Sequence, residues 1–113
     1  MAVSAEFRAY VLEQLGRVAP VTSRSMFGAV GVYSEGLFFA VVDDDRVYFK
    51  TDDGNRGDYE RAGMKPFQPF GEDSRPMGYH ELPGELLESP DELRPWMEKA
   101  LAVARGKRAR KRR

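Results

Sequence analysis

The chain has 113 residues and a mass of 12.8 kDa, enough for one compact domain around a single hydrophobic core and too little for two. Hydrophobic residues make up 42% of it and charged residues 32%, as in ordinary globular proteins, which excludes a fibrous or wholly disordered chain. The longest apolar run, residues 37–42, is far shorter than the roughly 20 residues of a bilayer-spanning helix, and there is no cysteine for a disulfide or a thiolate site. The N-terminus has no basic stretch leading into an apolar core, so we expect a cytoplasmic protein without a secretory signal.

A net charge of zero conceals two regions of opposite charge. Residues 1–104 hold all 18 acidic residues but 11 of the 18 basic ones, a net charge of −7, and residues 105–113 hold the other seven cations. So dense a block of like charge predicts a folded domain at 1–104 followed by a disordered basic tail. The tail is a candidate for weak, nonspecific contact with nucleic acid, and the alternative is a solubilising extension with no dedicated partner. Its cations are Arg105, Lys107, Arg108, Arg110, Lys111, Arg112 and Arg113.

The first predicted element is a helix that begins after Ser4, a residue type that favours helix N-caps. Proline at position 20 ends the pattern. The apolar residues between these limits recur with a period of 3.6 and predict one buried face, made of Phe7, Tyr10, Val11, Leu15 and Val18.

Strands follow from Met26 onward. Segments 26–33, 37–42 and 46–50 are separated by three-residue turns, which predicts an antiparallel meander. Segment 37–42 is apolar on both faces, so we expect it to be the central strand, covered on both sides. Because the helices of a two-layer fold cover only one face of a sheet, we predict a homodimer through the other.

Further elements complete an α+β pattern. A short helix is predicted over 52–62, ended by a left-handed Gly63, and two short strands are predicted at 66–70 and 76–82. The predicted order is α-β-β-β-α-β-β-α. This is a two-layer α+β fold, in which an antiparallel sheet of about five strands carries helices on one face.

The final helix has the clearest signals. Residues 89–92, Ser-Pro-Asp-Glu, form a capping box with proline at the first helical position. An apolar stripe at helical spacing includes Trp96, which we expect to face the core. Pro95 conflicts with a regular interior, so the helix either starts nearer Asp91 or bends at Pro95.

Motifs for catalysis and metal binding are lacking. His80 is the only histidine, there is no Gly-x-Ser-x-Gly elbow, and the aspartates at 43–45 and 52–53 fit turns and caps rather than a calcium loop. We therefore predict a non-enzymatic domain with no metal or cofactor. A base-stacking sheet is a further hypothesis, but the acidic body favours core packing for its aromatic residues, Phe38, Phe39, Tyr48 and Phe49.

Several segments resemble the N-terminal domain of the TfoX/Sxy family. The signature is Arg24-Ser25-Met26-Phe27-Gly28, continued by Gly31 and Tyr33, and it is followed by the apolar segment 37–42 and by Tyr48-Phe49-Lys50. Later landmarks occur in the same order, so the resemblance covers about residues 5 to 104. These landmarks are Gly63 with Pro66-Phe67, Met77-Gly78-Tyr79 with Leu82-Pro83, and Asp91-Glu92-Leu93 with Trp96.

The resemblance implies a small two-layer α+β domain and a regulatory function. Full-length members are regulators of natural competence that act beside a cyclic-AMP receptor-type transcription factor, and they carry a second, helical domain that we do not expect here. It therefore implies a regulatory or adaptor domain that binds a protein partner such as a transcription factor. No catalytic residue carries over. The signature transfers as structural or partner-contact positions, namely Arg24, Met26, Phe27, Gly28, Gly31 and Tyr33, with a structural ion pair expected for Arg24.

An alternative hypothesis is a small-ligand-binding domain or an enzyme. It would use a face around Arg24, Tyr33, Tyr48 and His80, and a deep pocket lined by Arg24 and His80 would favour it. The lack of a nucleophile, a metal cluster or a phosphate loop favours the regulatory domain instead.

Overall fold

The computed structural model describes residues 3–67 and 78–111, with side chains given as far as Gly106. Its five strands form one antiparallel sheet in the order β1-β2-β3-β4-β5, which confirms the predicted α+β class and the central position of the apolar strand. None of the helices in the described ranges is long and apolar enough to cross a membrane. The elements are α1 (Ala5–Gly16), β1 (Thr22–Met26), β2 (Ala29–Ser34), β3 (Leu37–Asp43), β4 (Arg46–Lys50), α2 (Arg56–Arg61), β5 (Tyr79–Glu81), a 3-10 helix (Gly84–Glu88) and α3 (Pro90–Lys111).

Helix α1 begins as the sequence predicts, but its buried face is rotated. The Ser4 hydroxyl accepts a hydrogen bond from the N–H of Phe7 at 3.1 Å, which confirms the cap. Tyr10, predicted to be in the core, is exposed, whereas Gln14 is buried. The Gln14 side-chain amide donates to the carbonyl oxygen of Leu87 at 2.5 Å, and this hydrogen bond makes its burial tolerable.

The predicted strand at 26–33 starts too early, because the chain reverses just before β2, which begins at Ala29. Phe27 and Gly28 have φ angles of +50° and +83° and form a two-residue turn between β1 and β2, in which Met26 pairs with Ala29. Gly28 therefore lies in this turn, and the register of β2 on β3 shifts further along, between Val32 and Tyr33.

Strand β1 carries no sequence pattern that predicts a strand, because four of its five residues are polar, as is common at a sheet edge. Its inward-facing residues, Ser23 and Ser25, receive hydrogen bonds of 2.9 Å from the Arg8 guanidinium of α1. These two bonds replace the apolar contacts that a central strand would make with the helix layer. An alternation of apolar and polar residues was therefore never available as a signal for β1.

The core lies between the sheet and helices α1 and α3. Phe39 and Phe49 contact each other edge-on, with ring centroids 5.5 Å apart, and both are fully buried with Leu93 and Met97 of α3. Trp96 is partly buried and packs against this core, on the side that the apolar stripe predicts. Tyr59 of α2 also belongs to the core. Its ring contacts that of Trp96 edge-on, with ring centroids 4.7 Å apart.

The region before β5 is only partly described. Helix α2 starts at Arg56, later than predicted, because residues 52–55 form a turn in which the Asn55 side chain accepts from the N–H of Asp52 at 2.8 Å. Gly63 has φ +75°, as predicted. Of the predicted strand 66–70 only a bridge between Pro66 and His80 is present, and residues 68–77 lie outside the described residues.

Helix α3 begins where the sequence predicts and differs from expectation at its C-terminal end. It begins at Pro90, with the Ser89 hydroxyl 3.5 Å from the N–H of Glu92, and Pro95 lies inside it. The N–H that Pro95 lacks would bond to the carbonyl of Asp91, which is in the exposed first turn. At the other end the backbone stays helical to Lys111, where we expected a disordered tail. Arginine, lysine and alanine are good helix formers, and cations suit the C-terminal end of a helix.

Candidate protein-contact surface

Four signature residues lie on one face of the sheet. Cross-strand register places Arg24 opposite Gly31, and Met26 and Tyr33 are two residues away from these along β1 and β2. Successive strand residues point to opposite faces, and Val30 and Val32 are in the core with the helices. The four signature residues therefore face away from the helix layer. We call this side of the sheet the outer face. Its residues are Arg24, Met26, Gly31, Tyr33, Phe38, Val41, Tyr48, Lys50 and Tyr79.

Aromatic rings cover much of the outer face. Tyr33 stacks on Phe38 with ring centroids 5.0 Å apart, and Phe38 in turn lies 5.9 Å from Tyr79. On the other side Tyr48 meets Phe67 at 4.5 Å. The predicted core packing thus holds for Phe39 and Phe49, which are fully buried, whereas Phe38 and Tyr48 are half-buried on the opposite face.

Lys50 places a positive charge among these rings, which the sequence analysis did not foresee. Its ammonium lies 5.4 Å from the ring centroid of Phe38 and 5.2 Å from that of Tyr79, within cation–π range. It also donates to the Tyr79 hydroxyl at 3.2 Å. The signal that could have found it is the alternation within β4, which puts Tyr48 and Lys50 on the same face.

Tyr48 and Tyr79 of the outer face keep their protons at neutral pH. Burial, with a smaller contribution from Tyr33, raises the pKa of Tyr79 to about 12. Burial, followed by the nearby Glu81 carboxylate, also raises the pKa of Tyr48. Both side chains therefore act as neutral hydrogen-bonding groups, and neither is suited to take up a proton as a base.

Gly31 is required by its neighbours across the sheet. A Cβ atom at this position would lie 2.5 Å from Cε of Met26 and 3.1 Å from a ring carbon of Phe38. The bare backbone therefore lets both side chains cross over it. Gly31 thus makes room for Met26 and Phe38 on the outer face.

Phe27 has the opposite character. Its side chain is fully exposed at the tip of the β1–β2 hairpin, where it makes no contribution to the core. Its φ of +50° is a conformation that bulky residues rarely adopt and that carries strain. Phe27 is thus a large apolar side chain held out into solvent at an energetic cost.

Arg24 is exposed on the same hairpin. It forms no ion pair within residues 3–67 and 78–106, so the structural ion pair expected for it is not found there. We call Arg24, Met26, Phe27 and Tyr33 together the hairpin surface. Arg24 is its exposed cation and Phe27 its exposed aromatic ring, and Met26 and Tyr33 beside them are partly buried.

His80 lies apart from this surface. It pairs with Phe49, a core residue, and therefore points to the inner side of the sheet, while Arg24, Tyr33 and Tyr48 point outward. The face proposed for a ligand or an enzyme is thus not assembled. No pocket described in the structure is lined by both Arg24 and His80.

The surroundings of His80 keep its ring neutral. Nδ1 lies 2.9 Å from the hydroxyl oxygen of Thr51, and the ring is 5.6 Å from that of Tyr59. Burial lowers the pKa of His80, and the neighbouring Glu60 and Arg56 have opposing, smaller effects. An open cleft of about 380 Å³ borders His80, lined also by Thr51, Arg56, Glu60, Met64, Pro66 and Gly78.

Metal-ligating groups do not cluster in the described part of the chain. No set of three histidine, aspartate or glutamate side chains there could hold one ion together. Asp44 and Asp45 have positive φ angles and form the β3–β4 turn, as predicted for them. Asp45 also accepts a hydrogen bond of 2.9 Å from the N–H of Ser4, which joins this turn to the start of α1.

Comparison with known proteins agrees with the resemblance in the sequence. No characterised protein matches the chain significantly. The family model described as the TfoX N-terminal domain matches residues 13–104, which include β1, the hairpin surface and most of α3. The chain therefore belongs to the TfoX N-terminal domain family.

Proposed function

We propose that this protein is a non-enzymatic, cytoplasmic regulatory domain that binds another protein, such as a transcription factor, through the hairpin surface. Membership of a competence-related family supports a regulatory domain. The observation that carries the choice of surface is the exposed, strained Phe27. Such a residue is explained by what it contacts in a partner, because it contacts nothing that stabilises its own fold.

The chemistry of the hairpin surface suits a protein interface. Burial of one phenylalanine side chain in a partner's pocket is worth about 1.5–3 kcal/mol. Aromatic residues and arginine are enriched among residues that dominate binding energy, and here Phe27 and Arg24 stand on one hairpin. The hairpin is also held firmly, since Arg8 ties both serines of β1 to the helix layer. Little ordering is therefore needed when a partner binds.

Capture of partners from native cytosol tests this proposal. Wild-type protein is compared with Phe27→Ala and with Tyr10→Ala, which truncates an exposed aromatic residue on α1. We expect Phe27→Ala to lose a partner that wild-type and Tyr10→Ala both retain. Equal capture by all three proteins would place the contact elsewhere and overturn the assignment.

We also propose that a second copy of the chain packs against the outer face, which gives the homodimer predicted from the sequence. The predicted homodimer uses the β1–β2 half of the outer face, because Phe67 and Tyr79 already bury the β4–β5 half within one chain. Light scattering at micromolar concentration tests it. A homodimer gives twice the 12.8 kDa of one chain, and a clean 12.8 kDa species contradicts it.

We also propose that the basic segment 105–113 makes nonspecific contact with nucleic acid. Its seven cations follow a body of net charge −7, which repels phosphate, so the contact is confined to this segment. With about four to six phosphates neutralised on duplex DNA, log affinity should fall with log salt at a slope of about −4 to −5. A protein truncated after residue 104 should not bind, and undiminished binding by it would contradict the proposal.

A further inference from the structure

We propose that residues 105–111 bind double-stranded DNA as a helix that continues α3, and that Gly106 keeps this helix marginal in the absence of DNA. This inference rests on the proposed contact between the basic segment and nucleic acid. It adds the conformation of the bound segment, the kind of nucleic acid and an uncharged residue, Gly106, that sets the affinity.

The place where α3 leaves the body supports a projecting helix. Val103 and Ala104 are buried, and the next two residues, Arg105 and Gly106, are exposed. The backbone remains helical from there to Lys111. At 1.5 Å per residue this extension is about 10 Å long, and the major groove of B-form DNA, about 12 Å wide, admits an α-helix.

The spacing of the cations weakens the free helix relative to the DNA-bound helix. Within residues 105–111, cations stand three or four positions apart in the pairs 105/108, 107/110, 107/111 and 108/111. Like charges at these spacings destabilise a helix. Phosphates between them would remove the repulsion, so helix formation and DNA binding should strengthen each other.

Gly106 acts in the same direction. A Cβ atom added to it meets no other atom within 4 Å, and its φ is not positive, so nothing in the packing or the backbone requires glycine. Glycine nevertheless disfavours a helix relative to alanine. It stands directly after Arg105, at the junction between the body and the extension, where it weakens the helix that all following residues share.

The composition of the segment favours DNA over other anionic partners. Between 105 and 113 the only residues without charge are Gly106 and Ala109, so a helix there has no large apolar side chain with which to enter a membrane. Double-stranded RNA has a deep and narrow major groove that does not admit such a helix. Seven cations in nine residues also match the closely repeated charge of a DNA duplex better than the scattered charges of an acidic protein.

Two charge-neutral substitutions test the inference. Gly106→Ala raises helix propensity at the junction, and Ala109→Gly lowers it further along, while all seven cations remain. Binding of each full-length protein to a fluorescein-labelled 20-base-pair duplex of random sequence is followed by anisotropy at fixed salt. Circular dichroism at 222 nm, measured with and without unlabelled duplex, reports helix content.

We expect Gly106→Ala to bind the duplex about fivefold more tightly than wild type and Ala109→Gly about fivefold more weakly. Helix content should rise when wild type meets the duplex. Equal affinities for the three proteins would show that the segment binds in an extended form and overturn the inference, as would stronger binding to an RNA duplex. If wild type and the protein truncated after residue 104 bind equally, the proposed nucleic-acid contact itself fails, and that result is distinct from equality among the three variants.

Discussion

The two faces of the sheet are formed by the same strands but differ in how deeply their side chains are buried. On the inner face Phe39, Phe49 and Val32 are fully buried against α1 and α3. On the outer face Phe38 and Tyr33 are half-buried, Lys50 lies among aromatic rings, and the hairpin ends in an exposed Phe27. Packing against the helices accounts for the burial of the inner face, whereas Arg24, Met26, Gly31 and Tyr33 of the signature lie on the outer one. The proposed binding role rests on this difference between the two faces.

Adjacent phenylalanines in β3 give the largest expected contrast. Phe39→Ala removes a fully buried ring and should lower the free energy of unfolding by about 3–5 kcal/mol. Phe38→Ala removes a half-buried ring that stacks on Tyr33, and should cost about 1–2 kcal/mol. Urea denaturation of both variants measures the difference. Equal losses would mean that the outer face contributes to stability as much as the inner one.

Helix α3 allows a second comparison, between side-chain packing and capping. Trp96→Ala removes the edge-on contact with Tyr59 and should cost about 3 kcal/mol. Ser89→Ala removes a cap whose hydroxyl is 3.5 Å from the N–H of Glu92, and should cost about 1 kcal/mol. Thermal melts rank the two. A smaller effect for Trp96→Ala than for Ser89→Ala would show that we have assigned the buried face of α3 wrongly.

Gly31 tests which part of the outer face is structural. Gly31→Ala brings a methyl group against Met26 and should destabilise the protein by about 1–3 kcal/mol. Gly84→Ala is the matched control, because its Cβ meets nothing within 4 Å. The double variant with Met26→Ala should recover part of the loss, since the two residues are in contact. Strict additivity of the two single changes would contradict the close approach.

We expect His80 to make the stability of the protein depend slightly on pH. Because its pKa is lowered in the folded protein, the unfolded chain binds more protons below about pH 6.5, so stability should fall as the pH drops below that value. Asp58 titrates below its usual 3.8, held there by Lys99, and so acts in a separate, more acidic range. His80→Gln should remove the loss near pH 6. An unchanged pH profile in that variant would show that another group is responsible.

Local signals in the sequence were enough for the capped helices and the central strand. The Ser4 cap, the helix start after Ser89 and the apolar segment 37–42 each depend on neighbouring residues, and each prediction agrees with the structure. The edge strand β1 and the two-residue turn at Phe27 could not be found in this way. A polar edge strand has no alternation to read, and phenylalanine is not a residue that positive φ favours.

The candidate surface was predicted as a set of residues but not as a geometry. The signature identified Arg24, Met26, Gly31 and Tyr33, yet their common face follows from the register of β1 on β2. His80 was grouped with them and lies on the other side, because its face is set by pairing with Phe49, far away in sequence. Such long-range register is fixed by tertiary contacts and leaves no mark in local composition.

Phe27→Asn tests the division between stability and binding most directly. Asparagine accepts a positive φ more readily than phenylalanine, and Asn-Gly is a favoured pair for a two-residue hairpin turn. If Phe27 is kept for a partner and not for the fold, the melting temperature of Phe27→Asn should equal that of wild type or exceed it by a few degrees. A melting temperature lower by about 4 °C or more, equivalent to a loss of about 1 kcal/mol, would contradict the account, because Phe27 would then stabilise the fold.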